Sequence, residues 1–185
     1  MHDILLTTPL TNATIAPLRT GHQVLLSGRI YTARDAAHKR LLALIEKGER
    51  LPIDLAGQVL YYCGPAPARP GRVIGSAGPT TGSRMDAFTP ALLAATRLKA
   101  MIGKGGRGAA VVDAIKKHCC IYFAATGGAG ALIAKTIRSA EVCCYEDLGP
   151  EAIYRLEVVS MPLIVAIDSQ GNDLYKSGPE EYRRR

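Results

Sequence analysis

Gln23-Val24-Leu25-Leu26-Ser27-Gly28-Arg29-Ile30-Tyr31-Thr32 is the stretch whose reading decides the fold. After the Gly21 turn, Val24, Leu26 and Ile30 fall on alternating positions, the period of a strand with one buried face. The period then changes. Across residues 36–47, Ala37, Leu41, Leu44 and Ile45 recur at the spacing of one helix face, with Asp35 as the expected cap and Gly48 as the stop. A buried strand running through a short turn into an amphipathic helix opens an α/β fold rather than a sandwich.

The same rhythm continues along the chain. A strand is expected over 59–63, a stiff Gly/Pro loop over 64–71 and a short strand over 73–76. Thr89-Pro90 starts a helix reaching about residue 98, with a strand over 100–103 and a helix over 109–117 after it. Then come a strand over 120–125, a helix over 131–138, a strand over 141–145 and a short helix opened by Pro150. A terminal hairpin is expected from 163–168 and 174–175 around Gly171-Asn172. The expected architecture is a layered α/β domain with at least one parallel stretch of sheet.

Composition agrees with that class. Hydrophobic residues make up 48% of the 185, yet there are two Phe and no Trp, so the core must be built from Ala, Val, Ile and Leu. A chain of this length buries roughly 70% of its unfolded surface, which makes a single domain over residues 1–185 the simplest expectation. The net charge is +7, with a basic end at Arg183-Arg184-Arg185, but no long basic run interleaved with aromatic residues occurs. That excludes a nucleic-acid surface and suits a small anionic substrate or an acidic partner, a solvated surface being the alternative. Residues 158–167 are about half the length of a membrane span and include Ser160 and Pro162. No secretory signal is evident at Met1-His2-Asp3, so no membrane association and a cytoplasmic location are expected.

Several segments invite chemistry. Gly78-Pro79-Thr80-Thr81-Gly82-Ser83-Arg84-Met85-Asp86 sets two hydroxyls and a guanidinium on a turn, an anion-facing arrangement unless Thr80 or Thr81 merely caps a helix. Lys104-Gly105-Gly106-Arg107-Gly108 lacks the Gly-Lys-Ser/Thr ending of a P-loop but could cup an anion near Lys104 and Arg107. Gly128-Ala129-Gly130 resembles part of a dinucleotide turn, with Glu146 or Asp147 near the ribose position, but Ile133 occupies the third glycine place. A tight strand-to-helix turn explains it better. The cysteines, Cys63, Cys119-Cys120 and Cys143-Cys144, have no chelating spacing and read as small buried hydrophobes, so no metal site is expected on this chain. The four histidines form no nucleophile–base pattern.

Four blocks in order carry a resemblance: Ser27-Gly28-Arg29-Ile30-Tyr31-Thr32-Ala33-Arg34-Asp35-Ala36-Ala37-His38-Lys39-Arg40, Gly75-Ser76-Ala77-Gly78-Pro79-Thr80-Thr81-Gly82-Ser83-Arg84-Met85, Met101-Ile102-Gly103-Lys104-Gly105 and Tyr145-Glu146-Asp147-Leu148-Gly149. Together they resemble the carboxy-terminal domain, or separate beta subunit, of class I iron-sulfur fumarate hydratases and L-tartrate dehydratases, from about Thr7 to Tyr175. The resemblance implies a swivelling β/β/α domain that closes over a [4Fe-4S] cluster held by three cysteines of another domain or an alpha subunit. It implies reversible hydration of fumarate to malate, a step of the tricarboxylic acid cycle, with one iron of the partner's cluster acting as Lewis acid. Carried over residue by residue, Arg34, Arg84 and Lys104 would bind the dicarboxylate and Thr80 would be the base for the carbon-bound proton. Forked guanidiniums suit carboxylates, and Lys supplies a point charge. Thr80 would need nearby positive charge to act as a base. Ala33 before Arg34 is closer to the fumarase form than to the tartrate-dehydratase form, where a cysteine is expected. A tartrate dehydratase beta subunit and a non-catalytic dicarboxylate-binding module are the alternative readings.

Overall fold

The computed structural model describes residues 3–126 and 128–183. His2, Gly127 of the second glycine loop and the terminal Arg184-Arg185 lie outside the described residues. The elements are β1 (Ile4–Thr7), α1 (Asn12–Ile15), β2 (Gln23–Thr32), α2 (Asp35–Glu46), β3 (Val59–Tyr61), α3 (Thr89–Ala95), β4 (Ala100–Gly103), α4 (Ala109–His118), β5 (Ile121–Ala124), α5 (Gly130–Ala134), β6 (Ile137–Cys144), β7 (Ile153–Ile167) and α6 (Leu174–Tyr182). A 3-10 turn occupies Gly82–Met85, and two 3-10 turns that meet at a kink at Gly149 occupy Glu146–Glu151.

Strands β1 to β5 run parallel in sequence order, and β7 returns antiparallel along β5, β6 and β2. The structure is mixed α/β, as expected, and because β7 pairs with both β5 and β2 the sheet closes on itself through β2, β3, β4, β5 and β7. Closure removes the open edge of those strands. It also explains their unbroken apolar character, since both faces are buried. Val59, Tyr61, Ala100, Ile102, Ile121 and Phe123 enter one core. The residues between them, Leu60, Met101 and Tyr122, enter a second core with Leu41 of α2, Leu92 and Leu93 of α3, and Ile115 of α4. Each fully buried side chain of this size contributes about 1.5–3 kcal/mol, which holds the three helices to the sheet.

Where the structure departs from the sequence expectation, long-range pairing is the usual cause. Residues 73–76 form no strand; the loop folds on itself through Ala66 N–H to Ser76 O (2.9 Å) and Gly75 N–H to Ala66 O (3.1 Å). The helix expected over 131–138 stops at Ala134, and Ile137 and Arg138 join β6, where Ile137 pairs with Val158. Strand β7 runs for 15 residues despite Ser160 and Pro162. Val159 and Ser160 bulge opposite Ser27, with Ser160 at φ 52° and its N–H donating to Ser27 Oγ (3.0 Å). Pro162 lies between the β6 and β5 pairings, where that edge has no ladder partner.

The terminal hairpin is not formed. Its turn is as expected, with Asp168 accepting from Gln170 N–H (3.0 Å) and Asn172 N–H (3.1 Å), but only an isolated bridge between Ile167 and Asp173 follows. Asp173 then accepts from Tyr175 N–H (3.0 Å) and starts α6. Two helix starts also differ by one residue: Arg34 is the cap of α2 with Asp35 inside its first turn, and Phe88 precedes Thr89-Pro90. Among the described residues no helix is long and apolar enough to cross a membrane.

Candidate active site

Ligands of parallel sheets gather where strands end at their carboxyl side, because loops diverge there and leave a crevice. Three of the four candidate residues follow from that rule. Arg34 lies two residues beyond β2, and Lys104 is the first residue beyond β4. Thr80 lies between the ends of β3 and β4. Its N–H donates to Tyr62 O (2.6 Å), and its carbonyl accepts from Lys104 N–H (3.1 Å). Gly82 N–H donates to Lys104 O (2.7 Å), so residues 80–82 run as a strand-like insert with a parallel bridge between Thr81 and Lys104.

The capping alternative fails on this geometry. The 3-10 turn that follows starts from Thr81, and no side chain caps it. Thr80 is held by its backbone alone. Lys104 is exposed and makes no ion pair among the described residues.

Arg34 and Arg84 meet at a shared carboxylate. Arg84 donates from Nε to Asp35 Oδ1 (3.0 Å) and from Nη2 to Asp35 Oδ2 (2.9 Å), a side-on bidentate pair. Arg34 Nε lies 3.8 Å from Asp35 Oδ2, and its Nη2 lies 3.5 Å from Glu151 Oε1. The other Glu151 oxygen accepts from Ala36 N–H (2.9 Å) in the first turn of α2, where the helix dipole favours a negative charge. Gly64 is needed for this approach: a Cβ there would stand 2.8 Å from Arg34 Nη1 and 3.0 Å from Pro150 O. Arg34, Arg84, Asp35 and Glu151 thus form a cluster of two cations and two anions.

Arg107, which the sequence suggested as part of an anion cup, is used elsewhere. It is buried, donating from Nε to Asp86 Oδ1 (2.6 Å) and from Nη2 to Thr89 Oγ1 (2.8 Å), and its guanidinium lies over the rings of Tyr62 and Tyr122. The glycine loop is instead closed by α6, whose Tyr175 hydroxyl accepts from Gly105 N–H (3.0 Å). Of the carboxylates considered for a ribose, Asp147 pairs with Arg40. A groove of about 660 Å³ bordered by Arg69, Arg72, Lys135 and Arg138 contains none of the four candidate residues.

Sequence reasoning missed Asp35, Glu151 and His38 as parts of this arrangement. Asp35 was legible as the neighbour of Arg34, while Glu151 reaches α2 from 115 residues away and left no local signal. His38 is buried one turn into α2, with its Nδ1–H donating to Arg34 O (2.9 Å) and its ring edge-on to Tyr62. Burial pushes the His38 imidazole down to about 4, and Arg107 acts in the same direction. Below pH about 6.5 the unfolded chain takes a proton that the folded chain refuses, so stability is lost as pH falls from about 6.5 to 4. The expected loss is about 3 kcal/mol, with no contribution from this group above that window. Urea unfolding at several pH values should show the slope in the wild type and its flattening in His38→Phe. Equal slopes in both would remove His38 as its source.

The cysteines do not make a ligand set. Cys63 and Cys120 are buried, and burial pushes each thiol up to about 12, so both stay protonated at neutral pH. Cys143 is exposed, and Cys119 and Cys144 are half-buried rather than fully buried as expected. Among the described residues no three His, Cys, Asp or Glu side chains gather to hold a metal.

Comparison with known proteins places the chain in a family. The profile described as "Fumarase C-terminus" matches residues 1–178. The chain belongs to the fumarase C-terminus family. The putative L(+)-tartrate dehydratase subunit beta of Methanocaldococcus jannaschii is 37% identical over 172 residues, covering 90% of this chain and 88% of that subunit. The aerobic class I fumarate hydratase of Escherichia coli (strain K12) is 40% identical over 152 residues, covering 82% of this chain but 28% of the enzyme. Fumarate hydratase 2 of Leishmania major is 36% identical over 156 residues, again across 28% of its length. This member of the family thus spans most of that beta subunit but only about a third or less of the fumarate hydratases that it matches.

Proposed function

We propose that this chain is the beta subunit of a two-subunit hydro-lyase that interconverts fumarate and malate, active only with an alpha subunit. The observation that carries the reading is the pair of guanidiniums bracketing Asp35 at the same strand ends that carry Thr80 and Lys104. A dicarboxylate needs two cationic grips, and the forked donors of Arg34 and Arg84 suit its carboxylates. Lys104 adds a mobile point charge beside Thr80. In this reading residues 1–185 act as one swivelling domain of a cytoplasmic enzyme, closing a crevice that the partner completes.

Arg34 and Arg84 orient the substrate, and the domain's closure excludes bulk water. The Thr80 Oγ exchanges a proton with the substrate carbon, with Lys104 stabilising negative charge on that oxygen. The family's [4Fe-4S] cluster does not fit this chain, where among the described residues no three Cys, His, Asp or Glu side chains gather. In this reading the cluster belongs to the alpha subunit.

Dehydration of L-tartrate is the second reading, favoured by the matched length of the Methanocaldococcus jannaschii subunit. Ala33, where the tartrate form would carry a cysteine, favours fumarate. Pull-down of the tagged chain from its native source, followed by assay of the eluate on fumarate and on L-tartrate, decides between them. Fumarate hydration above tartrate dehydration is expected. An eluate active on neither would overturn the hydro-lyase reading.

A further inference from the structure

The side-on geometry of the Arg84–Asp35 pair divides the guanidinium in two. Of its five N–H donors, Nε–H and one Nη2–H face Asp35, at 3.0 and 2.9 Å. One Nη1 hydrogen and the second Nη2 hydrogen form the adjacent, end-on edge, while the other Nη1 hydrogen points back along the Cδ side. That edge matches a second carboxylate, so one guanidinium can carry the protein's carboxylate and a ligand's at once. Arg84 is half exposed, and an unpaired arginine there would sample many rotamers. Asp35 itself is fixed, because it belongs to the first turn of α2 and that turn is tied to Glu151 through Ala36 N–H.

We propose that Asp35 is a positioning residue for dicarboxylate binding: it holds the Arg84 fork side-on so that the end-on edge is presented to the ligand, and it brings Arg34 to the same place. The inference rests on the dicarboxylate reading above. A simpler view of Asp35 predicts the opposite sign. If its carboxylate were only a counter-ion competing with the ligand, neutralising it would raise the local positive charge and tighten anion binding. If it positions Arg84, neutralising it costs affinity, because misplacing the fork forfeits the two-bond geometry.

The test is a titration of the full chain, carrying arginine labelled with 15N in the guanidinium, with fumarate and separately with L-tartrate. In the wild type, the Arg84 Nε–H resonance should be protected from exchange before ligand is added, and ligand should shift the Nη resonances more than Nε. Asp35→Asn, nearly equal in shape, should abolish the protection and weaken binding by about 10–100-fold. In an Arg84→Ala background the same substitution should change affinity much less, a coupling that a purely structural role would not produce. In the complex with the alpha subunit, Asp35→Asn should raise KM by a similar factor with a smaller change in kcat. Binding as tight as wild type or tighter in Asp35→Asn would overturn the proposal, as would equal effects with and without Arg84. A wild-type complex that turns over neither substrate would count against the hydro-lyase reading alone, since the titration requires no turnover.

Discussion

Thr80→Val is expected to lower turnover of the assembled enzyme by about 10²–10⁴-fold while KM changes little. Valine keeps the branched shape of threonine but has no proton to transfer. The structure makes the substitution clean, because Thr80 is held through its N–H to Tyr62 and its carbonyl to Lys104, both of which survive. No helix cap is lost, since the following turn has no side-chain cap, so the melting temperature should remain near that of the wild type. Turnover and melting should be measured on one preparation. A stable variant that exchanges the carbon-bound proton of malate with solvent at the normal rate would exclude Thr80 as the base.

Arg34→Ala and Arg84→Ala should each cost about 1.5–3 kcal/mol of substrate or transition-state binding, roughly 10–150-fold in kcat/KM. The two should differ in stability. Arg84 makes a half-exposed ion pair, whose loss is worth about 0–1 kcal/mol. Arg34 packs against Gly64, so Arg34→Ala also opens a gap and should lower the melting temperature more. Steady-state kinetics and thermal melts of both variants check this. Wild-type kinetics in either would make that arginine a structural residue.

What could be read in the sequence was local. The strand Gln23–Thr32 and the strand Ala100–Gly103 have the expected bounds, because each is a short apolar run between clear turn signals. Residues 34, 80, 84 and 104 were singled out by motif resemblance. The structure adds that Thr80 and Lys104 share backbone hydrogen bonds and that Arg34 and Arg84 flank one carboxylate. The hidden parts depend on distant partners. Ser160 and Pro162 look like strand breakers, yet a bulge and an unpaired edge accommodate them, and β7 closes the sheet. Asp173 looks like a turn residue, and its carboxylate instead starts α6, which brings Tyr175 to Gly105. Glu151 could only be found through its contact with Ala36, made across the fold.

The central claim is that this chain supplies the substrate grip and a partner supplies the rest of the catalyst. The most direct measurement is anaerobic reconstitution with iron and sulfide of this chain alone, the alpha subunit alone and the two together, reading bound iron and the rate of fumarate hydration. The account predicts no stoichiometric iron on this chain, no hydration by either subunit alone, and hydration when they are mixed. A stoichiometric cluster on this chain, ligated by Cys119, Cys143 or their neighbours, or fumarate hydration by this chain without a partner, would contradict it.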